Sequence, residues 1–107
     1  MAKNDSMDVE DKVRLLRALA FHIHRKRPLD EVLLELVEQE LRGNRRRIYR
    51  PAAERLADGD PLAALLSLDM VGEEAACVLG PVIDGGDHRL LSNVFNRLAD
   101  RAEKPEY

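Results

Sequence analysis

The densest chemistry in this 107-residue sequence is a run of arginines: Arg42, Arg45, Arg46, Arg47 and Arg50. Each guanidinium is a planar fork of donors that matches a carboxylate or a phosphate in pairs, so the run can grip an acidic helix or a nucleic-acid backbone. Arg25, Lys26 and Arg27 join the same surface if the first three helices pack in sequence order. Residues 25–50 carry eight basic and five acidic side chains, whereas residues 51–107 carry five basic and eleven acidic ones. Charge is thus polarised along a chain whose net charge is -3. That net charge disfavours nucleic acid, as does the scarcity of aromatics for base stacking, since only Tyr49 interleaves the basic run. Ordinary surface chemistry also accounts for the cluster: Arg46 and Arg50 have helical spacing, and Glu38, Glu40 and Glu54 can neutralise them on a solvated face.

The remaining reactive residue types form weaker patterns. Glu73, Glu74, Asp84 and Asp87, with His88 beside them, supply the oxygen ligands that a hard cation takes. The same carboxylates are explained without a metal if Glu73 and Glu74 complement a helix dipole and Asp87 caps the next helix. His22 and His24 are two apart on a helix and so point to different faces, which excludes them as a chelating pair. Ser67 and Ser92 lack a nucleophile elbow or a neighbouring base, and Cys77 on an Ala-rich stretch is expected to be a buried, inert thiol. Gly85-Gly86 is too short to cradle a phosphate and follows a helix instead of a strand. No catalytic residue set and no cofactor is therefore expected, and the chain is not read as an enzyme.

These side chains need a scaffold, and composition indicates which kind. The sequence has no Trp, two Phe and two Tyr, is 45% hydrophobic and 35% charged, and is rich in Ala, Leu, Glu and Arg. That favours helices over strands. Its length suits one domain, able to bury roughly 60–70% of the unfolded surface. One cysteine excludes a disulfide framework and fits a reducing cytosol. No apolar run approaches the roughly 18–20 residues of a membrane span, and the polar start is unlike a signal peptide, so a cytoplasmic location is expected.

Hydrophobic periodicity then predicts six helices. The first, capped by Ser6 or Asp8, buries Val9, Val13, Leu16, Ala20 and Ile23, with Leu15, Leu19 and Phe21 widening the stripe. His24 to Pro28 ends it, and a second helix buries Leu29, Leu33, Leu36, Val37 and Leu41 before stopping at Gly43. A third, over about 45–57, carries Ile48, Ala52 and Leu56 and should kink or restart at Pro51. Asp60-Pro61 starts a short helix bearing Leu62, Leu65 and Leu66. A fifth, over 71–83, packs through Ala75, Ala76, Val78, Leu79 and Val82, with a bend at Gly80-Pro81. After the Asp84 to Asp87 turn, a sixth buries Leu91, Val94, Phe95, Leu98 and Ala102. The expected organisation is a disordered lead-in over 1–7, one all-α domain over 8–104 and a tail over 105–107. The domain is a compact bundle of about six short antiparallel helices.

Three segments carry a family resemblance. Leu15-Leu16-Arg17-Ala18-Leu19-Ala20 followed by Arg27-Pro28-Leu29-Asp30-Glu31-Val32-Leu33, then Arg47-Ile48 through Leu56-Ala57-Asp58-Gly59-Asp60-Pro61-Leu62-Ala63-Ala64-Leu65, and finally Gly85-Gly86-Asp87-His88-Arg89-Leu90-Leu91 through Asn96-Arg97-Leu98-Ala99-Asp100-Arg101-Ala102-Glu103. From about Lys12 to Lys104 the chain resembles the cytoplasmic F domain of the inner-membrane platform proteins of type II secretion and type IV pilus assembly. It departs from that pattern in having Gly-Asp for the usual Gly-Glu, in losing the second glycine of the last turn near Arg89 or Leu90, and in lacking an apolar run like the membrane helices that follow the domain. The resemblance implies a six-helix, often dimerising, non-enzymatic scaffold that docks an assembly ATPase or another platform part. It also implies that acidic residues at the last turn are associated with a cation.

The expected function is accordingly a small cytoplasmic interaction module that binds a protein partner through Arg25, Lys26, Arg27, Arg42, Arg45, Arg46, Arg47 and Arg50. The alternative is a nucleic-acid-associated regulator using the same arginines. A homodimer is also expected, with Leu15, Leu19 and Leu68 as its exposed apolar patch.

Overall fold

The computed structural model describes residues 9–42 and 46–103, without the side chains of residues 46–48. The expectations placed on Ser6, Asp8, Gly43, Arg45, the Ile48 side chain and the tail lie outside that description. Six helices follow in order: α1 Val9–His24, α2 Leu29–Arg42, α3 Arg46–Ala57, α4 Pro61–Ser67, α5 Glu73–Gly85 and α6 His88–Glu103. No strand occurs among the described residues. The all-α architecture expected from composition and periodicity is the observed one, and the bundle measures 38 × 37 × 22 Å.

The most extensive helix contact joins α1 to α6, the two elements furthest apart in sequence. Their antiparallel sense follows from the contacts along them. Ser92, near the start of α6, donates from Oγ to the carbonyl of Ala20 near the end of α1 at 2.8 Å. Arg17, one turn earlier in α1, reaches Asn96, Asp100 at 2.7 Å and Glu103 at 2.9 Å further along α6. Small residues make this approach possible: Ala20, Ser92 and Ala99 are all buried. α2 packs on α1 and carries α3 and then α4 with it, while α5 bridges α4 to α6.

The buried face of α1 comprises Leu15, Leu16, Leu19, Ala20 and Ile23, while α2 contributes Leu29, Val32, Leu33 and Val37. Leu15, Leu19 and Leu68 are at most 2% exposed, so the apolar patch assigned to them for self-association does not exist on the surface. Leu15 and Leu19 are consumed by the core because α1 is packed on both sides, by α2 and by α6, and Leu68, at the end of α4, joins the same buried cluster. Phe21, expected in the same stripe, is instead 56% exposed, with the Arg25 guanidinium 5.0 Å above its ring. α3 and α5 each run as one helix through Pro51 and Pro81. α5 turns Ala76 and Leu79 inward, leaving Val78 61% exposed and Cys77 at the surface. The expected buried thiol is thus an exposed one: α5 lies at the edge of the bundle, with limited contact to α4 and α6, and needs only a narrow apolar stripe.

Helix ends explain how the chain reverses so tightly. After α1, Lys26 adopts φ +70°, with its N–H bonded to the Ile23 carbonyl and the N–H of Arg27 bonded to that of His22. After α3, Gly59 at φ +82° repeats this geometry, through Gly59 to Leu56 and Asp60 to Arg55. After α4, Asp69 at φ +59° repeats it again, through Asp69 to Leu66 and Met70 to Leu65. Each is a Schellman closure, in which a left-handed residue satisfies carbonyls orphaned at the helix end. Asp60 then caps α4 by accepting from the Ala63 N–H at 3.1 Å, and Asp87 caps α6 by accepting from the Leu90 N–H at 3.1 Å.

Three outcomes follow for stability. Lys26 is a non-glycine residue held left-handed, where a Cβ is penalised, so Lys26→Gly should stabilise the fold by about 1 kcal/mol and raise the melting temperature by several degrees. Removing the hydroxyl in Ser92→Ala should cost about 1 kcal/mol, the net value of the bond to Ala20. Ser92→Leu should cost more by forcing α1 and α6 apart, and a chemical denaturation series across these three variants checks the order.

Candidate functional site

The arginine-rich surface is split by α2. This helix has 14 residues and so spans roughly 20 Å. Arg25, Lys26 and Arg27 lie before its first residue and Arg42 is its last, so the two basic groups occupy opposite ends of one helix instead of one continuous face.

At the α1–α2 end the charge of Arg27 is matched within the chain. Arg27 donates to Glu31 at 2.9 Å and also to Glu35, and its guanidinium lies 3.4 Å from His22 Nδ1. These bonds push the Arg27 pKa above its ordinary value. Hydrogen bonding to Arg27 likewise holds the Glu35 carboxyl below the usual carboxylate range. Arg25 sits over Phe21, which packs edge-on against His22 with ring centroids 5.2 Å apart. Lys26 is exposed at the apex of the turn.

At the α2–α3 end the described arginines are unengaged. Arg42 and Arg50 are exposed and form no ion pair among the described residues. By contrast, Arg14, Arg17 and Arg27 each meet two carboxylates. Arg46 and Arg47 begin α3, and with Arg45 their side chains lie outside the described set. Tyr49, the one aromatic interleaving this run, is fully buried. It is a core residue that fixes α3 and offers no face for a base to stack on. Sequence reasoning passed over it because its neighbours are charged. The signal was available in its spacing, three and seven residues before Ala52 and Leu56, which are also buried.

The carboxylates do not assemble into a cation site. Glu73 and Glu74 open α5, whereas Asp84 lies near its end and Asp87 follows it, about three turns away. Among the described residues no three His, Cys, Asp or Glu side chains come together as metal ligands. Asp87 performs the capping role that its position predicts.

A cleft of about 300 Å³ opens where the α1–α2 turn, the start of α4 and the α5–α6 turn converge. Its floor is apolar, from Ile23, Leu29 and Leu91, all buried, and partly buried Ile83. Periodicity marked these residues as core, but the gap between the helix ends that carry them is a tertiary property. No helix among the described residues is long and apolar enough to cross a membrane. No family model matches the chain, and no curated protein or solved structure matches it.

The Arg27–Glu35 bond predicts a pH dependence. A carboxyl whose folded pKa is depressed contributes stability above its unfolded value, and that contribution is lost as pH falls through the folded value. Thermal melts of the parent chain should therefore fall off below about pH 4.5, the ordinary value for Glu35, and Glu35→Gln should flatten that acid limb while leaving the helical content at neutral pH unchanged.

Proposed function

We propose that the chain is a small, non-enzymatic interaction module that docks an acidic protein surface at the α2–α3 end of the bundle. The binding residues are Arg42 and Arg50, together with Arg45, Arg46 and Arg47. The observation that supports this reading is the clustering of arginines around two that are unpaired. Arg14, Arg17 and Arg27 have their charge matched within the chain, while Arg42 and Arg50, like Arg25, Arg55, Arg89, Arg97 and Arg101, stand exposed without an ion pair among the described residues, and Arg42 and Arg50 alone flank the Arg45-Arg46-Arg47 run in the sequence. An exposed guanidinium retains its forked donors for a carboxylate on another molecule.

The segments around Arg27-Pro28-Leu29, Gly59 and Gly85-Gly86-Asp87 carry the sequence resemblance to the secretion F domain. Under that resemblance the partner is an assembly ATPase or another component of a cytoplasmic platform assembly. Burial of Tyr49 weighs against the nucleic-acid reading, because it removes the aromatic nearest the arginines from any stacking role.

Affinity capture from native cytosol at low and at physiological salt tests the proposal. A specific protein bound by the parent chain should be lost roughly tenfold or more from Arg42→Glu/Arg50→Glu, whose melting temperature stays close to the parent's because both positions are exposed. Retention of every specific partner by that variant would sink the proposed surface. Recovery of nucleic acid alone, steeply lost with salt, would transfer the same arginines to the regulator reading.

A further inference from the structure

The cleft at the other end of α2 has a chemistry of its own. Its floor removes an aliphatic side chain from water, and its rim decides what else the occupant must carry. Asp30 and Asp87 line that rim. Each spends one oxygen, Oδ1, on a backbone N–H at a helix start: Glu31 at 2.8 Å for Asp30 and Leu90 at 3.1 Å for Asp87. The other oxygen of each makes no hydrogen bond or ion pair among the described residues.

Helix starts ordinarily favour anions. Here the starts of α2 and α6 are met by these carboxylates, so the charge left facing a ligand is negative. Arg27 also lines the cleft, but it is held by Glu31 and Glu35. The charged groups that line the cleft are thus Asp30 and Asp87 against Arg27, whose charge is met by Glu31 and Glu35, with His88 beside them at the start of α6. An apolar floor under an acidic rim is complementary to an aliphatic group that carries positive charge beside it.

We propose that this cleft binds a peptide segment in which a bulky aliphatic side chain is flanked by lysine or arginine. The aliphatic side chain sits over Ile23, Leu29 and Leu91, and the flanking cations reach the outer oxygens of Asp30 and Asp87. This site is independent of the arginine surface at the far end of α2.

The test is an NMR titration of the isotope-labelled full chain with the blocked pentapeptide Ala-Lys-Leu-Arg-Ala, using Ala-Glu-Leu-Glu-Ala as control. The basic peptide should shift amides of the α1–α2 turn and of residues 83–91 saturably, more weakly at higher salt, and the acidic one should not. Asn caps α6 as well as Asp87 does, and Asp30 is an exposed residue of the first turn of α2, so Asp30→Asn/Asp87→Asn should keep the fold and a melting temperature close to the parent's yet lose about fivefold or more in peptide affinity. Arg42→Glu/Arg50→Glu should bind the peptide as the parent does, which separates this site from the proposed docking surface. No shift at millimolar peptide, equal shifts with the acidic peptide, or shifts confined to the Arg42–Arg50 end would each overturn the proposal. So would cleft shifts that grow with protein concentration alone, which would make a second copy the occupant.

Discussion

The antiparallel pairing of α1 with α6 is the constraint on which the other contacts depend, because it joins the two ends of the described chain and makes everything between them a closed loop. Closing a loop of this length costs only slightly more than closing a short one, since the entropy grows with the logarithm of length. The pairing meets that cost with close approach. Ala20, Ser92 and Ala99 are small enough to let the backbones come within reach of a hydroxyl–carbonyl bond, and Leu16, Leu19 and Phe95 fill the interior around them. Arg17 then holds the outer edge through Asn96, Asp100 and Glu103. With α1 committed to α6 on one side and α2 on the other, its leucines have no surface to present, which is why an apolar stripe on two sides marks a central helix and not a dimer interface.

Helix existence was legible in the sequence to within about two residues, because period and capping chemistry agree at most ends. Asp60-Pro61 and Asp87 are read directly: an acceptor side chain, then a helix start whose N–H it satisfies. Gly59 is read equally well from its tolerance of positive φ. Lys26 and Asp69 were not legible, since neither residue type announces the left-handed turn that it makes. What imposes it is tertiary: α1 must give way to α2, and α4 to α5, within a few residues, so the backbone adopts the same closure and accepts the strain. Pro51 does not restart α3 and Pro81 does not end α5, each helix running on through its proline.

The candidate surface was half legible. Residue types identify the arginines, but type does not tell which guanidinium has its charge consumed. Arg27 and Arg42 look alike in the sequence; one meets Glu31 and Glu35 across the first turns of α2, and the other meets no carboxylate among the described residues. Glu31 lies four residues after Arg27 and could be read as its partner, whereas Glu35, eight residues away, becomes a partner only because the turn folds Arg27 back along the helix. Tyr49 shows the same limit from the other side, as a core residue concealed by the charges around it.

The two ends of α2 can act separately for a reason of scale. Roughly 20 Å of helix stands between them, while at physiological ionic strength the field of an exposed charge is screened within about 8 Å. The acidic rim around Asp30 and Asp87 therefore does little to weaken the arginines at the α2–α3 end, despite the opposite sign. A chain whose net charge is only -3 can in this way present exposed arginines at one end of α2 and exposed carboxylates at the other, each judged by its local charge and not by the sum. The helix between them is rigid and packed into the core through Val32, Leu33 and Val37, so occupants of the two ends would be held at a fixed separation. A fixed separation of that kind would follow from where α2 begins and ends.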